Sequence, residues 1–481
     1  MPSRAPSDPP PPAGLRTALD RPPPARPPLR AVRPRPARVP LSPAQRRLWL
    51  LERLGGAGTA YHLPVGLRLA GPLDREALAA ALGDVAERHE SLRTVVAEDA
   101  DGPYQLVREP APVPLAVAPL PRTGSPAPDP EPFDLAGEPP LRARLFTDGD
   151  RDHLLVLTFH HIAADGWSML PLLGDLGDAY AARRTGRAPG LTPLPVQYAD
   201  YALWQRELLG TPDAPTGRAA RQLAHWQAAL DGAPAESAPP ADRPRPDRPS
   251  GRGGAVPVTV PAAVHRALLE RAAAGGASPF MVLHAALAAL LSRLGAGDDL
   301  VVGTPVAGRP DEALAGLVGF FVNTLALRTD TSGDPDLTTL LARVREADLA
   351  ALAHQELPFE QVVSAVSPPR HPARHPLFQV MLALDNTPAP RATLDGLTVR
   401  RDTATGRTGA KFDLTWDLAE RHTADGAPAG ISGELEYSED LFDQATAERY
   451  AAQFTTLLTA LLDRPDTPFT RPLYPSDAAD E

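Results

Sequence analysis

The sequence predicts an α+β protein built from two lobes, and three observations support this. The chain has 481 residues, more than one ordinary core accommodates, so two to three domain-sized units are expected. Helical and strand patterns mix without strict βαβ alternation, which favours α+β layers over a doubly wound sheet. A stretch rich in Pro, Arg and Gly at 232–254 divides the chain into two halves of similar pattern.

The order of segments along the chain follows from these changes in composition. Residues 1–40 are rich in Pro and Arg and have too little apolar surface to fold, so we expect a disordered or polyproline-like tail. An inert tail and a weak basic docking element are the two interpretations of that segment. The expected organisation is a tail (1–40), an N-terminal lobe (41–231), an inter-lobe linker (232–254), a C-terminal lobe (255–470) and a second tail (471–481).

In the first half, helix signals and strand signals are local and clear. Ser42 is a suitable N-cap with Pro43 at the first helical position, which predicts a helix from there. Apolar residues at helical spacing predict a second helix through "PLDREALAAALGDVAERHESLR". The sequence "DGD" at 148–150 predicts a hairpin turn between two strands. Three further amphipathic helices are predicted before 231, the first of them closed by Gly186.

The second half alternates apolar strands with two prominent helices. "PFMVLHAALAALLSRL" predicts a buried helix, and a final helix is predicted over about 444–462. The predicted strands are "DDLVVGTPV", "FFVNTLALR", "LFQVMLAL", "FDLTWDLAE" and "GISGELEYS".

Composition excludes several classes of protein. The formal charge of -11 gives no net basic footprint for nucleic acid. The chain contains no cysteine, which removes disulfides and thiolate chemistry and fits a reducing, cytoplasmic location. The first residues contain no apolar core of a signal peptide. The longest apolar run, 280–294, includes His284 and Arg293 and is shorter than a bilayer span, so no membrane association is expected.

The segment "LTFHHIAADGWS" (157–168) carries the strongest chemical signal. Side chains alternate along a strand, so His160 and His161 must face opposite sides and cannot do the same work. One histidine would face a cleft and the other would pack behind it. Gly166 would permit close backbone approach or positive φ, and Ser168 can cap the next helix.

Three interpretations of the histidine pair are open at this point. The pair is either two satisfied core histidines at a strand end or part of a catalytic site. Metal binding, the third interpretation, needs about three convergent ligands, and the two histidines point apart.

The whole chain from about 41 to 470 resembles the condensation domains of nonribosomal peptide synthetases. The HHxxxDG pattern at 160–166 is that family's signature, and the family lies within the chloramphenicol-acetyltransferase-like superfamily. Six further segments resemble family motifs in the family's order: "LSPAQRRLWLL" (41–51), "RHESLRTVV" (88–96), "YADYALW" (198–204), "VGFFVNTLALR" (318–328), "HQELPFE" (354–360) and "RHPARHPLFQ" (370–379).

The resemblance implies a fold and a set of roles. The fold would be two chloramphenicol-acetyltransferase-like lobes in a V-shaped pseudo-dimer, with the active-site channel between them and with second-lobe segments crossing to the first. His161 would be the catalytic residue, as general base or as a group that positions the amine. His160 and Asp165 would support the site, with Asp165 in a buried ion pair with Arg93. Gly166, Trp167, Ser168 and Asn323 would line or support the substrate channel.

The implied reaction joins a carrier-tethered acyl or peptidyl thioester to an amine, usually a carrier-tethered aminoacyl group, giving an amide or an ester. The partners would be donor and acceptor peptidyl carrier proteins, and the chain would act as a monomer. No metal or cofactor would be bound by the chain itself, because the substrates travel on the phosphopantetheine arms of the carriers.

Relatives with other activities remain alternatives. Heterocyclization domains carry aspartates in place of the paired histidines and recruitment-type domains lack the histidines, whereas the pair is intact here. A carrier-docking module without catalysis and an acyl-CoA-dependent acyltransferase of the same superfamily are the two alternative functions. No adenylation or carrier motif follows, so we expect a free-standing enzyme or a domain of a larger synthetase.

Overall fold

The computed structural model describes residues 26–54, 58–121, 131–210, 217–369, 371–385, 393–402 and 409–470. Its helices are α1 (Pro43–Arg53), α2 (Arg75–Arg88), α3 (Met169–Arg184), α4 (Tyr198–Leu209), α5 (Arg218–Ala229), α6 (Ala262–Ala274), α7 (Pro279–Leu291), α8 (Leu337–Ala353), α9 (Phe359–Val366) and α10 (Gln444–Asp463). Its strands are β1 (Val39–Pro40), β2 (His62–Ala70), β3 (Thr94–Asp99), β4 (Gly102–Val107), β5 (Leu115–Pro119), β6 (Leu141–Asp148), β7 (Asp152–His160), β8 (Gly253–Val260), β9 (Asp299–Val306), β10 (Asn323–Asp330), β11 (Val380–Asp385), β12 (Thr398–Asp402), β13 (Leu414–His422) and β14 (Pro428–Ser438).

The first lobe is a five-stranded sheet covered by α2 and α3. The strand order is β12-β2-β7-β6-β5, and β7 is buried along nearly its whole length because it lies at the centre of the sheet. The predicted hairpin is present, since β6 and β7 pair antiparallel as far as Asp148 and Asp152. A small sheet of order β1-β4-β3 lies beside this lobe.

The second lobe is a six-stranded sheet of order β10-β9-β11-β13-β14-β8. Helix α7 packs in its core, and every residue from Met281 to Leu291 is buried. The segment Pro279–Ala296 is apolar and long enough to be a candidate membrane span, with a mean hydropathy of 1.5. Most of this segment is buried inside the protein, as the sequence predicts for a core helix. Mixed sheets with helices in both lobes confirm the α+β fold class.

Packing does not follow the predicted boundary between the lobes. Strand β12 belongs to the second half of the chain but pairs with β2 of the first lobe from Thr398 to Asp402. Helix α5 precedes the predicted linker, yet its Trp226 packs into a cluster with residues of β10 and α9. Each half of the chain therefore contributes an element to the lobe that is formed mainly by the other half. Residues 232–252 also lie against the second lobe, where the Ser237 N–H donates to the Gln379 side chain at 2.8 Å.

The prediction of a disordered segment as far as residue 40 is wrong for residues 26–40, and residues 1–25 lie outside the described part. Leu29 is buried among aromatic residues of α4, and the Trp204 indole donates to the Pro27 carbonyl at 2.7 Å. The Arg35 guanidinium contacts the carboxylates of Asp200 and Glu90. The basic residues that made this segment look disordered are therefore fixed by acidic groups of the folded body.

One group of hydrogen bonds joins the two lobes directly behind the histidine motif. The Asp165 carboxylate is fully buried, and its Oδ1 accepts from Arg309 Nη2 at 3.1 Å. Its other oxygen accepts from the Phe321 N–H at 3.0 Å. The Ser168 Oγ, on the same turn, lies 2.7 Å from Asp165 Oδ1 and 2.9 Å from the Gly319 carbonyl oxygen, two acceptors that share its one hydroxyl proton.

The predicted Arg93–Asp165 ion pair is wrong. Arg93 donates instead to the carbonyl of Arg108, and its nearest carboxylate is Glu90 at 3.9 Å. Arg309 takes the place of Arg93 because the second lobe, not the Arg93 turn, covers the buried face of Asp165. Arg309 is itself fixed, since Nη1 donates to the Leu314 and Leu317 carbonyls at 2.6 and 2.9 Å.

We predict that Arg35→Met lowers the free energy of unfolding at neutral pH by about 1–3 kcal/mol, because a charged hydrogen-bond partner of buried Asp200 is lost. Burial raises the pKa of Asp200, but hydrogen bonds from Arg35 and from backbone N–H groups outweigh it and leave that pKa lowered. A carboxyl with a depressed folded pKa stabilises the protein above its unfolded pKa and loses this contribution in acid. The difference from wild type should therefore shrink below about pH 4.

Urea unfolding at pH 7 and in acid measures this effect. The matched control is Arg38→Met in the same segment, because Arg38 pairs with the exposed Asp99 and should contribute no more than about 1 kcal/mol. Equal losses for Arg35→Met and Arg38→Met would contradict the prediction.

We predict that Asp165→Ala and Arg309→Ala each lower the free energy of unfolding by about 3–5 kcal/mol, because each leaves an uncompensated buried charge. A double-mutant cycle of the two should give a coupling energy of about 1–3 kcal/mol. The control cycle pairs Asp165→Ala with Arg93→Ala and should give no more than about 0.5 kcal/mol. Stronger coupling to Arg93 than to Arg309 would show that the ion pair is assigned incorrectly.

Candidate functional site

A large cavity lies between the two lobes and contains the second histidine of the motif. Its volume is about 1400 Å³, above the roughly 300–1,000 Å³ typical of a pocket for one small ligand. Both lobes contribute to its wall, which includes Val65 and His161 from the first and Met381 and Phe412 from the second. The cavity therefore has room for more than one small substrate group.

His161 stands just after the end of β7, where the chain leaves the central strand. Its Nδ1 lies 2.8 Å from the Ala164 carbonyl oxygen. A carbonyl can only accept, so Nδ1 carries the proton and Nε2 keeps its lone pair. The Phe320 ring packs against the imidazole with 4.8 Å between centroids. The site thus presents a fixed neutral imidazole in the wall of the cavity.

Burial lowers the pKa of His161 well below its ordinary value, and the nearby charge of Lys411 lowers it further. The hydrogen bond to Ala164 acts in the opposite direction and is outweighed. A group with a depressed pKa is unprotonated at neutral pH, so Nε2 is available as an acceptor.

His160 is fully buried and has the opposite tautomer. Its Nδ1 accepts the Ile162 N–H at 3.0 Å, so its proton is on Nε2 and is directed to Glu52 of α1 at 3.1 Å. The side chain does not line the cavity. His160 therefore fixes the turn after β7 and joins it to α1.

Gly166 and Trp167 both line the cavity, at the start of the turn that leads into α3. The sequence suggested that Gly166 supplies positive φ or close backbone approach, but the structure requires neither. Its φ is not in the left-handed region, and a Cβ built there would have nothing within 4 Å. A larger side chain at this position would project into open space of the cavity.

Ser168 and Asn323 were expected to line or support the channel, and neither is among the residues that line the cavity. Ser168 is fully buried in the inter-lobe hydrogen bonds with Asp165 and Gly319. Asn323 holds a loop of the second lobe, since its amide donates to the carbonyls of Gln355 and Leu357 at 2.9 and 2.8 Å. Gln355 in turn lines the cavity. Both polar side chains therefore support the wall from behind.

A separate cluster in the second lobe, His265, Glu420 and His422, places one potential metal-ligand atom from each residue within 4.8 Å of the others. The His265 Nδ1 accepts the Gly430 N–H at 3.3 Å, so its proton is on Nε2, which faces Glu420 at 2.9 Å. Nε2 has no lone pair to offer a metal in this state. The arrangement is a histidine–carboxylate hydrogen bond.

Sequence reasoning missed three residues that shape the site, all from the second lobe. They are Arg309 beside Asp165, Phe320 against the His161 ring and Lys411 in the cavity wall. Phe320 falls within a motif segment (318–328), which is a usable signal. Arg309 and Lys411 lie outside every quoted motif, and only packing of the lobes brings them to the histidine turn.

Comparison with known proteins agrees with this architecture. A family model described as "Condensation domain" matches residues 37–481. The chain is 48% identical over 430 residues to the dimodular nonribosomal peptide synthase of Bacillus subtilis, covering 88% of this chain and 18% of that protein. It is 45% identical over 432 residues to the isonitrile lipopeptide synthase of Mycobacterium tuberculosis, covering 88% and 17%. The chain thus spans less than a fifth of the length of these curated relatives.

Solved structures show the same fold. The X-domain from teicoplanin biosynthesis has a TM-score of 0.85 at 39% identity, with 92% of this chain and 99% of that chain covered. That X-domain has also been solved in complex with OxyB. The first condensation domain of the CDA synthetase has a TM-score of 0.72 at 22% identity, with 90% and 98% covered, and this likeness supports the fold alone.

The family model covers nearly the whole described chain, and the teicoplanin X-domain has the same fold over 92% of this chain. The chain belongs to the condensation-domain family of nonribosomal peptide synthetases.

Proposed function

We propose that this chain is a condensation enzyme that forms an amide bond between a carrier-tethered acyl or peptidyl thioester and the amine of a carrier-tethered aminoacyl group. The observation that carries the proposal is the state of His161. Its Nδ1 proton is committed to the Ala164 carbonyl, and its unprotonated Nε2 belongs to a residue of the cavity wall. An unprotonated Nε2 of this kind can accept a hydrogen bond from the N–H of an amine substrate.

The proposed step balances as a simple acyl transfer. The amine nitrogen attacks the thioester carbonyl, a C–N bond forms, and the C–S bond breaks. One amine proton moves to His161 Nε2 and then to the departing thiolate, which leaves as a phosphopantetheine thiol. The depressed pKa of His161 disfavours a long-lived imidazolium, so the imidazole orients the amine and passes the proton on.

The size of the cavity supports a reaction of two tethered substrates. Condensation domains of nonribosomal peptide synthetases work with carrier domains in general, and donor and acceptor carriers are the partners we propose here. A volume of about 1400 Å³ accommodates two acyl groups on narrow arms. In this proposal the chain itself binds no metal or cofactor, because the thioester already activates the donor.

A non-catalytic recruitment module is the second candidate, and the likeness to the teicoplanin X-domain favours it. That X-domain is 39% identical to this chain and has been solved in complex with OxyB. Against it stands the intact histidine pair, with one member open to the cavity and the other fixed to Glu52.

We predict that His161→Gln lowers the rate of amide formation about 10²–10⁴-fold, because the acceptor at the reacting amine is lost. The assay loads one carrier with an acyl-phosphopantetheine and a second with an aminoacyl group, and follows the product by mass. The control is His422→Gln, an exposed histidine outside the cavity, which should react as wild type.

Other results of this assay separate the alternatives. Equal product from wild type and His161→Gln would remove the catalytic role of His161. Carrier binding without turnover by wild type would favour the recruitment module. Equal activity with acyl-CoA in place of the donor carrier would favour the acyl-CoA-dependent acyltransferase.

We predict that Gly166→Leu lowers turnover about tenfold or more while the protein stays folded. The new side chain has open space around its Cβ but projects into the cavity, where it displaces the reacting groups from a productive geometry. The control is Gly174→Leu on α3, where a Cβ also meets nothing within 4 Å and which does not line the cavity. An unchanged rate for Gly166→Leu would show that substrates do not pass this position.

A further inference from the structure

A short segment of the second lobe, Gly319-Phe320-Phe321, packs against the histidine motif, and we call it the Phe320 segment. Both polar backbone groups of Gly319 meet the Ser168 Oγ, the N–H at 3.1 Å and the carbonyl oxygen at 2.9 Å. The Phe321 N–H donates to the Asp165 carboxylate at 3.0 Å. The segment is therefore fixed to the first lobe on either side of Phe320.

A further hydrogen bond to this segment comes from Tyr198, the first residue of α4. Its hydroxyl donates to the Phe320 carbonyl at 2.6 Å and lies 2.8 Å from the hydroxyl of Ser42, the N-cap of α1. Because the carbonyl can only accept, the Ser42 hydroxyl is the donor of the second bond. Burial raises the pKa of Tyr198 well above its ordinary value, so its hydroxyl keeps the proton that it donates to Phe320.

The Tyr198 ring also restricts where the Phe320 segment can lie. The ring packs so closely on Gly319 that a Cβ at that residue would come within 2.3 Å of it. It meets the Phe321 ring edge-on, with 5.0 Å between centroids. The backbone of Phe320 is thus held at its own carbonyl and through both neighbouring residues.

The side chain of Phe320 packs directly on His161. The two rings lie 4.8 Å apart between centroids, at an interplanar angle of 59°. Among the described residues, the side-chain hydrogen bond of the imidazole is the one from Nδ1 to the Ala164 carbonyl. The terminal torsion of a histidine side chain is intrinsically broad. The packed ring of Phe320 therefore restricts the direction in which Nε2 points.

We propose that Tyr198 is a positioning residue, which acts through Phe320 to hold the His161 imidazole with Nε2 directed to the reacting amine. The presence of the amine rests on the proposed function, whereas the restraint on the imidazole rests on the contacts of the Phe320 segment. Tyr198 does not line the cavity, so it acts on the imidazole and not on the substrates. Loss of its hydroxyl leaves the Phe320 carbonyl without this donor, and the segment and its ring can then shift.

The test is Tyr198→Phe, which removes the hydroxyl and keeps the ring. A misplacement of about 1 Å can lower a rate about 10²-fold, so we expect kcat for amide formation to fall about fivefold or more. KM for both loaded carriers should stay within about twofold of wild type, because the substrate-binding wall is unchanged. Phe320→Leu, which removes the ring and keeps an apolar side chain, should lower kcat at least as far.

The matched control is Tyr201→Phe on the same helix. The Tyr201 ring packs on Phe321 with 4.7 Å between centroids, whereas the hydroxyl that holds the Phe320 carbonyl is that of Tyr198. Tyr201→Phe therefore removes a hydroxyl from the same aromatic cluster and should keep the wild-type kcat.

A second measurement observes the imidazole without turnover. In protein with isotopically labelled histidine, the NMR signals of the His161 ring are identified by their absence in His161→Gln, and they carry the ring-current shift of Phe320. Tyr198→Phe should move these signals in the same direction as Phe320→Leu does. Tyr201→Phe should leave them unchanged.

Unmoved His161 signals in Tyr198→Phe would overturn the inference, as would equal losses of kcat in Tyr198→Phe and Tyr201→Phe. Signals that move in Tyr198→Phe, in a protein whose wild type makes no amide, would support the restraint by Tyr198 and contradict the proposed function.

Discussion

The buried carboxylate of Asp165 is the constraint on which the site depends. A fully buried charge is stable only when its hydrogen bonds are complete, and two of its partners, Arg309 and the Phe321 N–H, come from the other lobe. Docking of the second lobe therefore completes the histidine turn. Since Ala164, which fixes the His161 tautomer, directly precedes Asp165, the same ion pair holds the imidazole in place.

The site belongs to both lobes in its chemistry as well as in its shape. The first lobe supplies the imidazole at the end of its central strand, and the second supplies the Phe320 ring that packs on it and Lys411 in the wall of the same cavity. Asn323 fixes the loop that carries Gln355 to the wall. A change in the angle between the lobes would alter the charge around His161 as well as the width of the cavity.

Polar contacts between segments distant in sequence join the lobes, beside the apolar clusters that the two lobes share. The Glu356 carboxylate accepts hydrogen bonds from the side chains of Arg26, Arg218 and Gln222 at 2.6–2.7 Å. The N-terminal segment, α5 and the 354–358 loop therefore meet at one carboxylate. Such contacts are specific in geometry and leave little trace in hydrophobic periodicity. They explain why composition alone suggested disorder for a segment that is fixed on the body.

The sequence by itself determined the local structure and the different roles of the two histidines in the motif. Period-two alternation separated His160 from His161, Ser42 and Pro43 defined the start of α1, and the apolar run 280–294 was correctly assigned to a core helix. The family motifs were sufficient to predict the two-lobe α+β fold. Only the tertiary structure decided the partner of Asp165, the support roles of Ser168 and Asn323, and the position of Lys411 in the wall of the same cavity as His161. The physical reason is that local pattern reports which faces are buried, whereas ion pairs across lobes depend on where distant segments of the chain come to lie.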